Sequence, residues 1–138
     1  MTNPFDEVQP DFATTGTFMR LPAENDEAIL AIVGIPFDTA TSYRAGTRFG
    51  PQAIRLASVI LSDYNTYFDV HPFQDTNAID IGDIPIVAQN IHRTYEVIEK
   101  TMFTFMEKGI IPIGLGGDHS ITLATLRAAA KVYGPVAL

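Results

Sequence analysis

The 138-residue chain carries nine Lys or Arg against sixteen Asp or Glu, which gives a net charge of −7 at pH 7 and a pI of about 4.7. This charge, without any basic cluster, argues against a nucleic-acid partner, and the absence of cysteine excludes thiol nucleophiles, zinc–thiolate sites and disulfides. A hydrophobic content of 46% is that of an ordinary globular domain with a real core.

The N-terminal segment MTNPFDEVQPDF contains acids and prolines where a signal peptide would need basic residues and then an apolar run. The longest apolar stretch, residues 28–37, is far shorter than the roughly 20 residues that span a bilayer. We therefore expect a cytoplasmic protein without a membrane partner.

The first 27 residues are predicted to form an N-terminal arm, with TFMRLP at 17–22 as its apolar anchor. Residues 28–35, AILAIVGI, are typical of a strand buried on both faces, which favours a parallel sheet. Residues 36–50 form a long loop leaving the carboxyl end of that strand. Gly50-Pro51 then opens a helix whose predicted apolar face is Ile54, Ala57 and Leu61.

Residues 62–77 allow no assignment, and residues 78–81 predict a second strand that Gly82 closes. Residues 88–108 predict a long helix, residues 110–115 a third buried strand, and residues 135–138 the start of another apolar run. The apolar stripe of the long helix is Ile91, Tyr95, Ile98, Met102 and Phe105. A further helix has the predicted stripe Leu123, Leu126, Ala130 and Tyr133. This alternation predicts an α/β fold, an open parallel sheet covered by helices on both faces.

Ligands of open parallel sheets bind beyond the carboxyl ends of the strands, so the loops there are the candidate sites. In IGLGGDHS, residues 113–120, two glycines permit a sharp turn, and Asp118 and His119 lie in the connection between a predicted strand and the next helix. A metal suits a neutral imidazole with a carboxylate beside it. Alternatively, Asp118 or Ser120 caps the helix and His119 is an ordinary loop residue.

The loop PFDTATSYRAGTRFGP, residues 36–51, offers Asp38, Arg44 and Arg48 as candidate substrate or subunit contacts. The alternative is that the arginines pair with surface acids and the glycines shape a long turn. Asp80 and Asp83 flank a strand end, where loop capping is favoured over a paired-carboxylate site. The sequence contains no P-loop, no GxGxxG and no serine nucleophile elbow.

Four segments together resemble the arginase and agmatinase family of ureohydrolases: residues 17–22, 34–55 (GIPFDTATSYRAGTRFGPQAIR), 80–84 (DIGDI) and 116–120 (GGDHS). The resemblance implies a three-layer αβα fold with a parallel sheet, of which residues 28–138 would be the N-terminal half. It also implies a two-manganese centre and the hydrolysis of a guanidino group, on agmatine or a guanidino acid, to urea and an amine. Imidazole and carboxylate ligands also suit nickel or cobalt.

The resemblance makes His119 a metal ligand, and it makes Asp118 and Gly117 residues that orient this ligand without binding the metal. It places no catalytic residue in this segment. The family's other ligands lie in Asp-Ala-His-x-Asp and Asp-x-Asp motifs, which do not occur here. We therefore expect the 138 residues to be part of a longer enzyme and to be inactive alone; the alternative is a non-catalytic, ureohydrolase-like subunit with an assembly role. Family members also imply a homo-oligomer, a trimer or a hexamer.

Overall fold

Three parallel strands form the sheet in the computed structural model, which describes residues 16–87 and 89–137. The strands are β1 (Leu30–Gly34), β2 (Ile79–Asp83) and β3 (Ile111–Leu115), and their order is β2-β1-β3. Both neighbours of β1 pair with it in parallel, and the register runs without interruption along β3. The predicted parallel sheet is confirmed, and the strand order reverses about β1.

Strand β1 is buried on both faces, as its apolar run predicts. Val33 and Ile35 pack against two helices, α3 (Ile91–Glu107) and α4 (Ile121–Tyr133). Gly34 lies on the opposite face, where a Cβ atom would meet side-chain atoms of Asp83 and of Arg55 on helix α1 (Gly50–Ser58). The sheet therefore has helices on both faces, which confirms the three-layer α/β fold.

The predicted stripe of α3 is confirmed as the main contact with the core. Ile98 and Met102 are fully buried, and Tyr95 and Phe105 pack against the same cluster. The helix begins three residues later than predicted because the side chain of Asn90 accepts the backbone N–H of Arg93 at 2.9 Å, a typical N-terminal cap.

The predicted inward face of α4 is wrong. Ala124 and Ala128 are fully buried, whereas Leu123 and Tyr133 are 47% and 61% exposed. Small side chains at these inward positions let α4 approach α3 closely, and larger leucines would hold the two helices apart. The helix does end at Gly134, as predicted, with φ of +82°.

The predicted apolar face of α1 is also wrong. Its buried residues are Pro51, Arg55 and Ser58, while Ile54 and Ala57 are exposed and Leu61, also exposed, lies beyond the end of the helix. Both sets have helical spacing, so periodicity alone could not choose between them. Acidic side chains of β2 lie beneath α1, and the helix turns its arginine toward them.

Strand β3 is not buried on both faces as predicted, since Ile111 and Ile113 are 56% and 40% exposed. Within the described residues β3 is one of the two outer strands of the sheet, and the face that carries Gly114 packs on Ile35 and Met102. The unassigned stretch contains an isolated antiparallel bridge, Asn65 with Val70, and the short helix α2 (Pro72–Asp75).

The part of the N-terminal arm that the structure describes lies against α1 and β2. Residues Phe18–Arg20 form one 3₁₀ turn, and the N–H groups of Phe18 and Met19 donate to Asp80 Oδ2 and Ser58 Oγ at 2.6 and 2.7 Å. The earlier arm residues 1–15 lie outside the described residues, as do Ala88 and Leu138. Residues 135–137 are not in a strand. No helix in the described part combines the length and apolarity that a membrane crossing requires.

Candidate functional site

A cleft lined mostly by residues with polar side chains lies where the strand order reverses, beyond the carboxyl ends of β1 and β3. Such a switch point is where open α/β sheets bind ligands, because the loops after neighbouring strands part there. We call it the strand-end cleft; its volume is about 470 Å³. Its lining comes from the loop after β1 and the turn after β3: residues 40–44, Thr47 and residues 117–120. The cleft thus joins the two loops that the sequence singles out.

The glycines of the turn after β3 are required by close packing. Gly116 and Gly117 have φ of +71° and +81°, a region that side chains disfavour. A Cβ atom on Gly117 would also lie 2.5 Å from the carbonyl oxygen of Ile35, and one on Gly116 would lie 2.4 Å from Pro51 Cδ. The turn can therefore lie directly on the end of β1 and the start of α1, which fixes the residues that follow it.

Asp118 joins the two loops of the cleft. Its N–H donates to the carbonyl of Phe37 at 2.7 Å, and its Oδ2 accepts the N–H of Ala40 at 2.9 Å. Its Oδ1 accepts the N–H of Ser120 at 2.9 Å and the Ser120 hydroxyl. The side chain is buried, and both oxygens are engaged by these groups. Of the two caps considered from the sequence, Asp118 is the one that binds at the helix start, and Ser120 makes no side-chain cap bond.

His119 is exposed and lies in the wall of the strand-end cleft. It is the one histidine among the lining residues. The carboxylate of its neighbour Asp118 accepts hydrogen bonds from Ala40 and Ser120. In the described part of the chain, no three His, Cys, Asp or Glu side chains come together as a metal site. These residues offer one imidazole donor, so by themselves they do not fit a two-metal centre.

The loop after β1 is held by Asp38. This carboxylate is 2% exposed; Oδ2 accepts the N–H groups of Gly46 and Arg48 at 2.7 and 3.3 Å. Arg48 Nη2 lies 2.5 Å from Oδ1. The hydrogen-bonded guanidinium of Arg48 lowers the pKa of Asp38 from 3.8 to about 2, helped by the N–H of Gly46 and opposed by burial. Of the two arginines predicted as contacts, Arg48 is thus paired within the loop.

Arg44 has a different environment. Its guanidinium carbon lies 5.1 Å from the ring centroid of Tyr43, a cation–π arrangement, and both residues are exposed in the lining of the strand-end cleft. The structure therefore brings Arg44 into the same cleft as His119, and it places Asp38 and Arg48 at the base of the loop.

A buried ion network beside the sheet was missed by the sequence reasoning. Arg55 Nε and Nη2 donate to Asp80 Oδ2 and Oδ1 at 2.7 and 2.9 Å, and Nη1 pairs with Asp83. Burial raises the pKa of Asp80, but the bonds from Arg55, Phe18 and Gly82 outweigh it, and the net pKa is lowered. The favoured interpretation of Asp80 and Asp83 as loop caps is confirmed in part for Asp80, which accepts the N–H groups of Gly82 and Phe18. It is wrong for the ion pairs, since both carboxylates bind Arg55. An aspartate inside an apolar strand was the signal, since a buried carboxylate needs a cation.

Comparison with known proteins agrees with this fold. Residues 28–138 match the arginase family. The chain is 44% identical to a guanidinobutyrase from Pseudomonas aeruginosa over 94% of this chain and 42% of that protein. It is 40% identical to a mitochondrial agmatinase from Gallus gallus, over 88% of this chain and 36% of that protein.

Two solved structures are similar over most of the chain. The proclavaminate amidinohydrolase of Streptomyces clavuligerus has a TM-score of 0.85 and 35% identity, covering 94% of this chain and 44% of that one. A formiminoglutamase of Trypanosoma cruzi, solved with Mn²⁺, has a TM-score of 0.72 and 27% identity, covering 85% and 40%.

The architecture and the cleft define an α/β protein with a candidate binding site at the switch point of a parallel sheet. The chain belongs to the arginase family. It spans about two fifths of the length of the curated relatives it matches.

Proposed function

We propose that this chain contributes to a metal-dependent ureohydrolase that hydrolyses a guanidino group, on agmatine or a guanidino acid, to urea and an amine. The observation that carries the proposal is the strand-end cleft, in which His119 faces the polar loop after β1 at the switch point of the sheet. The relatives named guanidinobutyrase and agmatinase support the substrate class.

His119 would supply one ligand of a manganese centre. Asp118 and Gly117, which precede it in the turn after β3, would hold its backbone in place. An exposed neutral imidazole is a good ligand for manganese, nickel or cobalt. The formiminoglutamase with Mn²⁺ supports manganese as the metal. Because the described residues offer one donor, the remaining ligands would come from outside them, through a longer chain or a second subunit.

The test uses the complete native protein, its His119→Ala variant and, as a matched control, His92→Ala, which removes an exposed histidine from α3. Urea release is measured with agmatine and with 4-guanidinobutyrate after treatment with a chelator and reloading with Mn²⁺, Ni²⁺ or Co²⁺. Bound metal is counted by mass spectrometry. We expect a metal-dependent release of urea, and a loss of metal affinity of about tenfold or more for His119→Ala alone.

The absence of urea from the native protein with all three metals would refute the proposed reaction. Full metal binding by His119→Ala would refute the role of His119. Unchanged behaviour of His92→Ala shows that the loss belongs to the cleft and is not a general effect of removing a histidine.

One observation favours a second candidate, a non-catalytic subunit with an assembly role. Helix α1 and the turn that follows it expose large apolar side chains, which are typical of a contact surface: Ile54 and Leu56 on the helix, and Ile60 and Leu61 just after it. Light scattering of the native protein distinguishes the two. An oligomer that binds no metal and releases no urea would support the assembly role, whereas a trimer or hexamer that releases urea would support the enzyme. The cytoplasmic location stays a prediction.

A further inference from the structure

One carboxylate, that of Asp38, links the start of the loop after β1 to the end of the same loop. Asp38 follows the buried Phe37 and reaches Gly46 and Arg48, eight and ten residues further along the chain. The carboxylate accepts two backbone N–H groups and pairs with one guanidinium, and all three come from residues 46–48 at the end of the loop. Oδ2 accepts both N–H groups and Oδ1 forms the ion pair with Arg48, and Asp38 is not among the residues that line the cleft.

A second carboxylate fixes the leading end of the same loop. Asp118 Oδ2 accepts the N–H of Ala40, and the carbonyl of Phe37 accepts the N–H of Asp118. The loop is therefore pinned at Ala40 by the turn after β3, and at Gly46 and Arg48 by Asp38. Residues 41–44 lie between these two anchors.

Residues 41–44 form one wall of the strand-end cleft. Three of them, Ser42, Tyr43 and Arg44, are exposed, so the core does not hold them in place. Apart from a long bond of 3.3 Å from the N–H of Gly117 to the carbonyl of Thr47, the two anchors fix their position relative to His119. A fixed wall matters for binding, since misplacing a contact group by about 1 Å can cost a large part of the affinity or rate.

We infer that Asp38 and Arg48 are positioning residues, which hold residues 41–44 at a set distance from His119 without touching the substrate. The inference rests on the proposed function, because the substrate of the strand-end cleft is the guanidino compound proposed above. Loss of the pair would loosen the wall and weaken substrate binding. It would leave His119 in place, because β3 and Asp118 hold that residue independently.

The test compares Arg48→Met and Arg48→Lys in the complete native protein. Lysine keeps a cation for Asp38 Oδ1, which Arg48 contacts through a single nitrogen, and methionine removes it. Arg93→Met is the matched control, because Arg93 makes an exposed ion pair with Glu96 on α3. Steady-state urea release gives KM and kcat, and metal analysis gives the bound manganese.

We expect Arg48→Met to raise KM by about tenfold with kcat within about threefold, and Arg48→Lys to recover most of the loss. Manganese content and the Arg93→Met kinetics should stay at the native values. A second readout needs no activity: trypsin cleaves after Arg44, and the cut should form several-fold faster in Arg48→Met as the loop opens. Mass spectrometry follows the cut.

An unchanged KM together with an unchanged rate of cleavage at Arg44 would overturn the inference. So would a loss of kcat that lysine does not recover, since that result would place Arg48 in the chemistry itself. If the native protein releases no urea, the proposed function fails, and the cleavage rate still decides whether the pair holds the loop.

Discussion

The buried ion network beside the sheet makes a sharp prediction for Arg55→Met. The change removes two hydrogen bonds to Asp80, of 2.7 and 2.9 Å, and leaves that carboxylate charged and almost inaccessible to water. Removing one partner of a buried pair typically costs about 3–5 kcal/mol of unfolding free energy. Asp80 keeps the N–H groups of Phe18 and Gly82, so we expect the lower end, about 3 kcal/mol.

Asp83 adds little to this figure. Its side chain is 41% exposed, and water can replace the lost guanidinium there, so its share is about 0–1 kcal/mol. The double variant Arg55→Met/Asp80→Asn should recover part of the loss, because no unpaired charge remains buried. Such recovery would separate the cost of the stranded charge from the cost of the missing arginine side chain.

Urea unfolding followed by far-ultraviolet circular dichroism measures the effect, with equal slopes required before the midpoints are compared. Arg93→Met is the control, since its exposed pair with Glu96 should contribute less than about 0.5 kcal/mol. If Arg55→Met lost no more stability than this control, the assignment of a stabilising buried network would be refuted.

Three further predictions concern the sheet, the loop and the core. Gly34→Ala should destabilise by about 1–3 kcal/mol in urea unfolding, because its Cβ would lie 1.9 Å from Asp83 Oδ1. Asp38→Asn should flatten the dependence of melting temperature on pH between about 4 and 2. The pKa of Asp38 in the folded protein, about 2, lies below the ordinary 3.8, so the carboxylate stabilises the fold fully above pH 3.8 and loses that effect as the pH falls toward 2. Ala124→Leu should cost about 1–3 kcal/mol in thermal unfolding, since this position is fully buried between α3 and α4.

The sheet could be predicted from the sequence because its signal is local. A short apolar run rich in β-branched residues favours a strand covered on both faces, and β1 is such a strand. The buried face of α3 could be predicted as well, since its large apolar residues recur at helical spacing and the helix offers few other sets of residues that could form an apolar face. Both predictions needed only the residues of one element.

The inward faces of α1 and α4 could not be predicted in the same way. In α1, the buried set Pro51, Arg55 and Ser58 has the same helical spacing as the exposed apolar set, and the choice depends on Asp80 in a strand twenty-five residues later. In α4, Ala124 and Ala128 face the core because α3 lies close by. Hydrophobicity ranks leucine above alanine, but close contact between two helices favours the smaller side chain.

The same reasoning explains why the site was only partly readable. Asp38 and Asp118 were singled out as charged residues in loops after strands, and the structure shows both as acceptors of backbone N–H groups. A loop that crosses the end of a sheet leaves donors unpaired, and each buried donor needs an acceptor. Carboxylates at the strand ends meet that need. Within the described part of the chain, the side chains that these two carboxylates leave exposed in the cleft include His119 and residues 42–44, and these are the ones to which the proposed function assigns binding.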